Sequence, residues 1–544
     1  MPEPIEVLVV GAGPVGLTAA HELTRRGVRV RLVDAATAPA VTSRAIAVHP
    51  RTLETYDQMG VLGGMLAASR RITAFTVYQN GRRLARLDAD YTATPTRFPF
   101  TVTLEQVETE RVLREALTEL GVEVEWGVRL TGLDRRPDGV TATLRHADGT
   151  EENAEVPWLV GCDGGHSTVR KLLQLPLVGE STETWLIADA TVETRLPPNS
   201  IYLIRAEGGT LMMAPMPEKN RWRMLDTVDV SYDGDGDAVA VRFARKLTAG
   251  LGHPVRVGTP RWVSVFTAQQ RMVPAMRRGR VLVAGDAAHV HSPASGQGMN
   301  TGIQEAFNLA WKLQLAVRGL AADELLDSYG TERVPIGRAL LGNTKRATQL
   351  ISLKNALAGL AMPVVFGLAQ RIPPLRVKMQ RAALGRVSGL NVAYPDSPLT
   401  VPDGSPLPGG PRPGERVAQV GPEQAAATGW RELVDHLRDV RWTLLVFGDQ
   451  GAETAAAALR YDTVLSVRTI DAGDPVDGTT PLADPGGALR TGLGVGARGW
   501  LLIRPDGYLA ARGTELTEEA LRRVFAPVLA DAMPDELIHP GRVS

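Results

Sequence analysis

Two stretches of this chain carry residue types and spacings that suit chemistry on a nucleotide. The first is Gly11-Ala12-Gly13-Pro14-Val15-Gly16, followed eighteen residues after Gly16 by Asp34. The second is Gly285-Asp286-Ala287-Ala288-His289, which runs on through Pro293 and Gly296-Gln297-Gly298-Met299-Asn300. Glycines at the first spacing allow a tight turn at Gly11, close approach of backbone to a pyrophosphate at Gly13, and close packing of a helix at Gly16. An acid some twenty residues on is placed to take ribose hydroxyls.

These residues need particular elements beneath them. Residues 5–10 are apolar and β-branched, as a buried parallel strand requires. Residues 15–26 read as the helix whose first amides and dipole meet the phosphates, Gly27 ends it, and residues 28–33 form the second strand. Asp34 then stands at that strand's end. Strand, glycine turn, helix, strand and acid in register make a dinucleotide site more specific than the glycines alone. A loop-capping role for Asp34 remains open.

A third segment, Gly161-Cys162-Asp163-Gly164-Gly165-His166-Ser167-Thr168-Val169-Arg170, again reads as strand end, glycine turn and helix start. Together the three segments, with the run Asn300-Thr301-Gly302-Ile303-Gln304-Glu305-Ala306-Phe307-Asn308-Leu309-Ala310-Trp311-Lys312-Leu313, resemble the motifs of the FAD-dependent aromatic monooxygenases of the para-hydroxybenzoate hydroxylase type. The nearest branch is the longer polyketide and phenol hydroxylases. The resemblance covers residues 5–340 well and the C-terminal part more loosely.

The resemblance implies that Gly11, Gly13, Pro14, Val15, Gly16 and Asp34 bind the nucleotide end of FAD. It puts Gly285 and Asp286 at the ribityl or pyrophosphate part and Pro293 beside the flavin ring. It directs the backbone amides of Gly298, Met299 and Asn300 at the pyrimidine edge. Arg44 and Gln106 match family positions that contact FAD, Asp163 matches one associated with FAD and nicotinamide, and Arg170 reads as its structural support. Arg51 is a candidate for contact near the flavin or the oxygen intermediate, with a helix N-terminal salt bridge as the equal alternative. His49, His289 and His291 lie near the motifs without a settled acid or base role. Two departures from the family stand out: Ser295-Gly296 replaces a pair of glycines, and Asp34-Ala35 replaces Glu-Arg.

The implied fold is α/β. A Rossmann-like FAD-binding domain of the glutathione reductase type occupies residues 1–176 and 273–394, the latter with a helical segment. A substrate-binding β-sheet is inserted at 177–272, a Pro/Gly-rich linker spans 395–416, and a thioredoxin-like domain without CxxC covers 417–544. Met212, Met213, Met216, Trp222 and Met224 are candidates for an apolar cavity, with core packing an equal alternative for each.

The implied reaction is hydroxylation of a phenolic polycyclic, polyketide-like substrate. NADPH or NADH reduces FAD, and molecular oxygen then gives a flavin hydroperoxide that transfers its distal oxygen. Baeyer-Villiger insertion into a polyketide ketone, hydroxylating inactivation of an antibiotic and a flavin-bound sequestering protein remain alternatives. No second nicotinamide-binding fingerprint follows a strand.

Composition is compatible with this reading. The chain has 544 residues, enough for two or three domains, and its 60 basic and 60 acidic residues leave no footprint for nucleic acid or an anionic membrane. A single cysteine excludes an internal disulfide or a CxxC pair, and no tight cluster of His and carboxylates suggests a metal. The N-terminus lacks a leader pattern and residues 356–369 are too short an apolar run to span a bilayer, so a cytoplasmic protein is expected, with that run serving helix packing or a homodimer contact.

Overall fold

The structure is a computed structural model that describes residues 3–89, 91, 94–206, 209–291, 296–351, 384–385, 387–402, 409–450, 454, 457, 460–471 and 477–530. Pro293 and the run 356–369 lie outside these residues. Among the described residues no helix is long and apolar enough to cross a membrane, and no group of three or more His, Cys, Asp or Glu side chains is placed to hold a metal.

The nucleotide motifs sit on a six-stranded sheet in the order Arg277–Arg278, Val281–Val283, Trp158–Gly161, Val7–Val10, Val30–Asp34, Val124–Trp126. All neighbours are parallel except the first pair. Val7–Val10 is buried along its length, because helices or sheets cover both faces of a central parallel strand. Three consecutive strands of this sheet therefore end side by side, at Gly11, Cys162 and Ala284. The Cys162 amide donates to Val10 O (2.7 Å) and the Ala284 amide to Gly161 O (3.0 Å), which locks the three turns together. Residues 140–145 form the centre of a separate three-stranded antiparallel sheet with Arg129–Arg135 and Glu151–Val156.

The second large sheet is built on the long strands Val178–Glu193 and Trp262–Met272. It also recruits Ala74–Gln79 and Arg82–Asp88 from the first part of the chain, so the inserted segment alone does not make it. Strand alternation divides its side chains between two faces. Met213, Trp222 and Met224 pack with Phe243 and Leu247 of the helix Gly236–Leu251 and are core residues. Met212 falls on the other face, with Trp185, Ile187, Leu225 and Phe266. On that face Arg223 pairs with Asp189 and donates to the carbonyls of Ser43 and Arg44 (2.6 Å each), so the face is turned toward the nucleotide domain.

The C-terminal part is an α/β domain with a mixed sheet in the order Thr480–Pro481, Leu465–Ile470, Trp442–Phe447, Gly499–Ile503, Leu509–Gly513. The described ends of the Pro/Gly-rich segment before it are bonded to this sheet. The amides of Val401 and Gly414 donate to Ala510 O and Leu509 O (2.9 and 2.7 Å). Trp311 and Leu315 of the helix Gly298–Val317 share a core with Trp442, Trp500 and Phe525, joining this domain to the nucleotide domain.

Candidate active site

At the first turn, Gly11 has φ +104°, and a Cβ there would lie 2.5 Å from Cys162 O. A Cβ on Gly16 would lie 1.8 Å from Gly11 O, so the helix Pro14–Arg25 packs onto the turn only through glycine. Pro14 takes the first helical position, where a missing N–H costs no bond. At Gly13 a Cβ would meet nothing within 4 Å. That open space faces the helix N-terminus, where a pyrophosphate is favoured. Asp34 accepts from the Ala12 amide (2.6 Å) and the Ala36 amide (2.8 Å), so it both fixes the turn and sits at its strand end.

Val15 is a wedge between the first and last motifs. Its Cγ2 would be 2.7 Å from a Cβ on Gly285 and 2.6 Å from one on Gly302. Gly285, with φ +61°, opens a short 3-10 turn, Gly285–Ala287, that leaves the Asp286 carboxylate exposed. Glu305, fully buried, accepts from the Gly285 amide (2.9 Å) and meets His289 Nε2 (2.8 Å). Burial alone would depress the His289 pKa, but the Glu305 charge outweighs it and the pKa is raised. Burial likewise opposes ionisation of Glu305, and the His289 charge brings its pKa below the usual value. Arg170 supports the same turn by donating to Ala287 O (3.1 Å).

The helix Gly298–Val317 points its N-terminus into this region. The amides of Gly298, Met299 and Asn300 precede the first intrahelical acceptors and are available to a ligand. The Asn300 side chain is engaged in full. Its Nδ2 donates to Ala47 O and Gly296 O (2.8 and 2.7 Å), and its Oδ1 accepts from the His49 amide (2.9 Å). Gln106 pins the neighbouring loop, accepting from the Ala45 amide (3.3 Å) and donating to Glu110 (2.9 Å). Arg44 and Asp286 are exposed beside that loop and the Gly285 turn, and neither side chain makes a hydrogen bond or ion pair among the described residues.

Two residues singled out from sequence turn elsewhere. Asp163 caps the helix Thr168–Leu172, accepting from the amides of Thr168 (2.6 Å) and Val169 (3.1 Å) and from the Ser167 hydroxyl. Its carboxylate is held by its own loop. The Arg51 guanidinium lies on Glu54 (3.2 Å), the Asp506 carbonyl (2.9 Å) and the Tyr508 ring (5.1 Å), so the salt-bridge alternative describes it and the C-terminal domain covers it. Glu305, Asp189 and Arg223 had no role assigned from sequence. A signal was present, since each is a charged residue inside an otherwise apolar or alternating run.

The open space at Gly13, the helix amides, the two turns at Gly285 and Gly11, and the exposed Asp286 and Arg44 together match the donors and acceptors of a flavin dinucleotide. The FAD binding domain family matches residues 4–344, and the aromatic-ring hydroxylase C-terminal family matches residues 410–532. The chain belongs to the FAD-dependent aromatic-ring monooxygenases. It is 51% identical to the 6-methylpretetramide 4-monooxygenase of Streptomyces rimosus over 93% of this chain and 90% of that protein. It resembles the solved anhydrotetracycline hydroxylase of Streptomyces rimosus with TM-score 0.72 and 30% identity, covering 97% of this chain and 99% of that one. It also resembles the flavin-dependent monooxygenase PieE, solved with FAD and substrate, with TM-score 0.79 and 25% identity over 97% and 100% of the two chains. This is a FAD-dependent monooxygenase of aromatic or polyketide substrates.

Proposed function

We propose that the enzyme hydroxylates a polycyclic phenol of polyketide origin, taking electrons from NADPH or NADH and one oxygen atom from molecular oxygen. The observation that carries this reading is the meeting of three glycine turns at adjacent strand ends, near a sheet face where Met212 and Phe266 stand beside the Arg223–Asp189 pair. Bound FAD supplies the redox chemistry, and the chain supplies the rest. Gly11, Gly13, Pro14, Val15 and Gly16 form the pyrophosphate turn, and Asp34 takes the ribose. Gly285 and Asp286 hold the ribityl chain, with Arg44 and Gln106 at the loop beside it. The amides of Gly298, Met299 and Asn300 favour negative charge at the pyrimidine edge, because a helix N-terminus carries partial positive charge. Pro293 is assigned to the ring's side by the family motif alone. Asp163 acts through the helix it caps.

The half-buried Met212 and Phe266, backed by buried Trp185, Ile187 and Leu225, would meet a flat apolar substrate and exclude water from it. The names of the relatives support a tetracyclic phenol as its size class. The C-terminal domain reads as thioredoxin-like from its mixed sheet order. Cys162 lies outside it, and burial pushes that thiol well up, so dithiol chemistry is not its role.

The test is nicotinamide oxidation by the flavin-loaded protein against a panel of polycyclic phenols and ketones, with product mass followed under isotopic oxygen. Ligand-stimulated turnover giving a phenol with one labelled oxygen supports the proposal. A lactone product moves the enzyme to Baeyer-Villiger chemistry. A flavin that stays oxidised in the presence of a bound ligand and nicotinamide refutes oxygenation.

A further inference from the structure

Four amide or ammonium side chains recur at every fourth residue of the helix Gly298–Val317: Asn300, Gln304, Asn308 and Lys312. This spacing keeps them on one slowly turning stripe about 18 Å long. Each has a partner off the helix. Asn300 holds residues 47–49 as described, and Gln304 Nε2 donates to Thr52 Oγ1 (3.2 Å). Asn308 Nδ2 donates to both Glu332 (2.8 Å) and Asp506 (2.9 Å), and Lys312 Nζ donates to Glu332 (2.7 Å).

The lower end of this ladder belongs to the C-terminal domain. Arg504 bridges Glu332 (2.6 and 3.0 Å) and Asp506 (3.0 and 2.6 Å) with forked contacts on both sides, and all three are buried. The Asp506 carbonyl also takes Arg51, at the start of the helix Pro50–Met59. One turn of the C-terminal domain thus grips both elements that meet at Asn300 and His49. The far end of the flavin helix is strapped as well, since the Ala322 amide donates to Val528 O and the Ala530 amide to Leu320 O (3.0 and 2.9 Å).

An apolar contact through Trp311 and Leu315 already docks the domain. A buried charge network adds little net stability beyond such a contact, but its directional bonds can fix a single register. We propose that the C-terminal domain positions the flavin, with Asp506 and Arg504 as positioning residues that set where the first amides of the flavin helix stand. This rests on the FAD site proposed above. It gives a domain without a redox pair a task in the reaction.

The test compares Asp506→Asn and Asn308→Leu with Leu433→Ala, a core residue of the C-terminal domain in a cluster that does not include the flavin helix. Melting temperature, FAD dissociation constant by fluorescence titration of the apoprotein, and the absorbance maximum of bound flavin are measured for each. The ladder variants should weaken FAD by about tenfold and shift the flavin band. Leu433→Ala should stay within about twofold of wild type despite an equal or larger melting loss. Asn308→Leu leaves no new unpaired charge, so it serves if Asp506→Asn does not fold. Unchanged FAD affinity and spectrum in the ladder variants, or an equal loss in Leu433→Ala, overturns the proposal. Because binding is the readout, an enzyme that binds FAD but resists nicotinamide reduction fails the proposed reaction while the ladder is still judged by these affinities.

Discussion

Glu305 and His289 form a fully buried pair at 2.8 Å, and the second oxygen of Glu305 holds the Gly285 amide at 2.9 Å. One carboxylate thus fixes the histidine that ends the Gly285 motif and the glycine that begins it. The turn is prepared for a ligand before any ligand arrives, which lowers the ordering cost on binding.

Substituting Glu305→Gln should destabilise the protein by about 3 kcal/mol near pH 5.5, since it breaks a buried pair. The raised His289 pKa gives stability that is complete below the ordinary value of 6.5 and lost as pH rises through the folded value. The lowered Glu305 pKa gives stability that is complete above 4.5 and lost as pH falls through its folded value. The gap between wild type and variant should therefore be widest between those two ordinary values. Thermal melts of both proteins across pH check it, and a gap independent of pH would refute the ion pair.

The glycines of the first turn should separate by mechanism. Gly16→Ala places a Cβ against Gly11 O and should cost about 3 kcal/mol in the apoprotein. Gly13 has ordinary backbone angles and open space around its Cβ position, so Gly13→Ala should change apoprotein stability by less than about 0.5 kcal/mol. It should still weaken FAD by about tenfold or more if the pyrophosphate occupies that space. Denaturant melts of apoprotein and a flavin titration distinguish the two, and normal FAD affinity in Gly13→Ala would move the pyrophosphate elsewhere.

The nucleotide site was legible in sequence because its parts are local: a strand, a turn and a helix N-terminus are contiguous in the chain. Asp34 shows this well, since its two readings, loop cap and ribose acid, are both compatible with where it lies. Arg51 was legible only in part: its salt bridge to Glu54 was one of its two readings, but its contacts with the C-terminal domain were not. Its partners, Asp506 and Tyr508, are more than 450 residues away, and no local pattern announces a contact between domains. Asp163 carried two signals at once, a family position and a Ser-Thr helix start, and the capping signal is the one its geometry expresses. The ladder on the flavin helix was not read from sequence, because its polar residues gain a meaning only from Glu332 and Asp506.

Met212 and Met213 are adjacent in sequence and opposite in role. Met213 is fully buried under the helix Gly236–Leu251, and Met213→Ala should cost about 3 kcal/mol of stability. Met212 lies on the face turned toward the nucleotide domain, so Met212→Ala should cost about 1 kcal/mol or less and act mainly on the KM for a polycyclic substrate. Chemical denaturation and steady-state kinetics on the two variants decide this. A kinetic effect confined to Met213→Ala would reverse the assignment of the faces.

Lys312 gives a pH signature of the domain contact. Burial lowers its pKa to about 8, and the neighbouring Glu332 only partly counters that effect. Below pH 8 the lysine is charged in both the folded and unfolded chain, and folding bears the cost of burying it. Between 8 and its ordinary value of 10.5 the folded chain binds one proton fewer than the unfolded one, so stability rises with pH. In Lys312→Met that proton is gone from both states. The wild type should therefore gain on the order of 3 kcal/mol relative to Lys312→Met across this interval. Denaturant melts at several pH values from 7 to 10.5 on the two proteins check the slope. A flat difference would mean that the Glu332 charge offsets the burial of the ammonium in full, or that water reaches the seam between the flavin helix and the C-terminal domain.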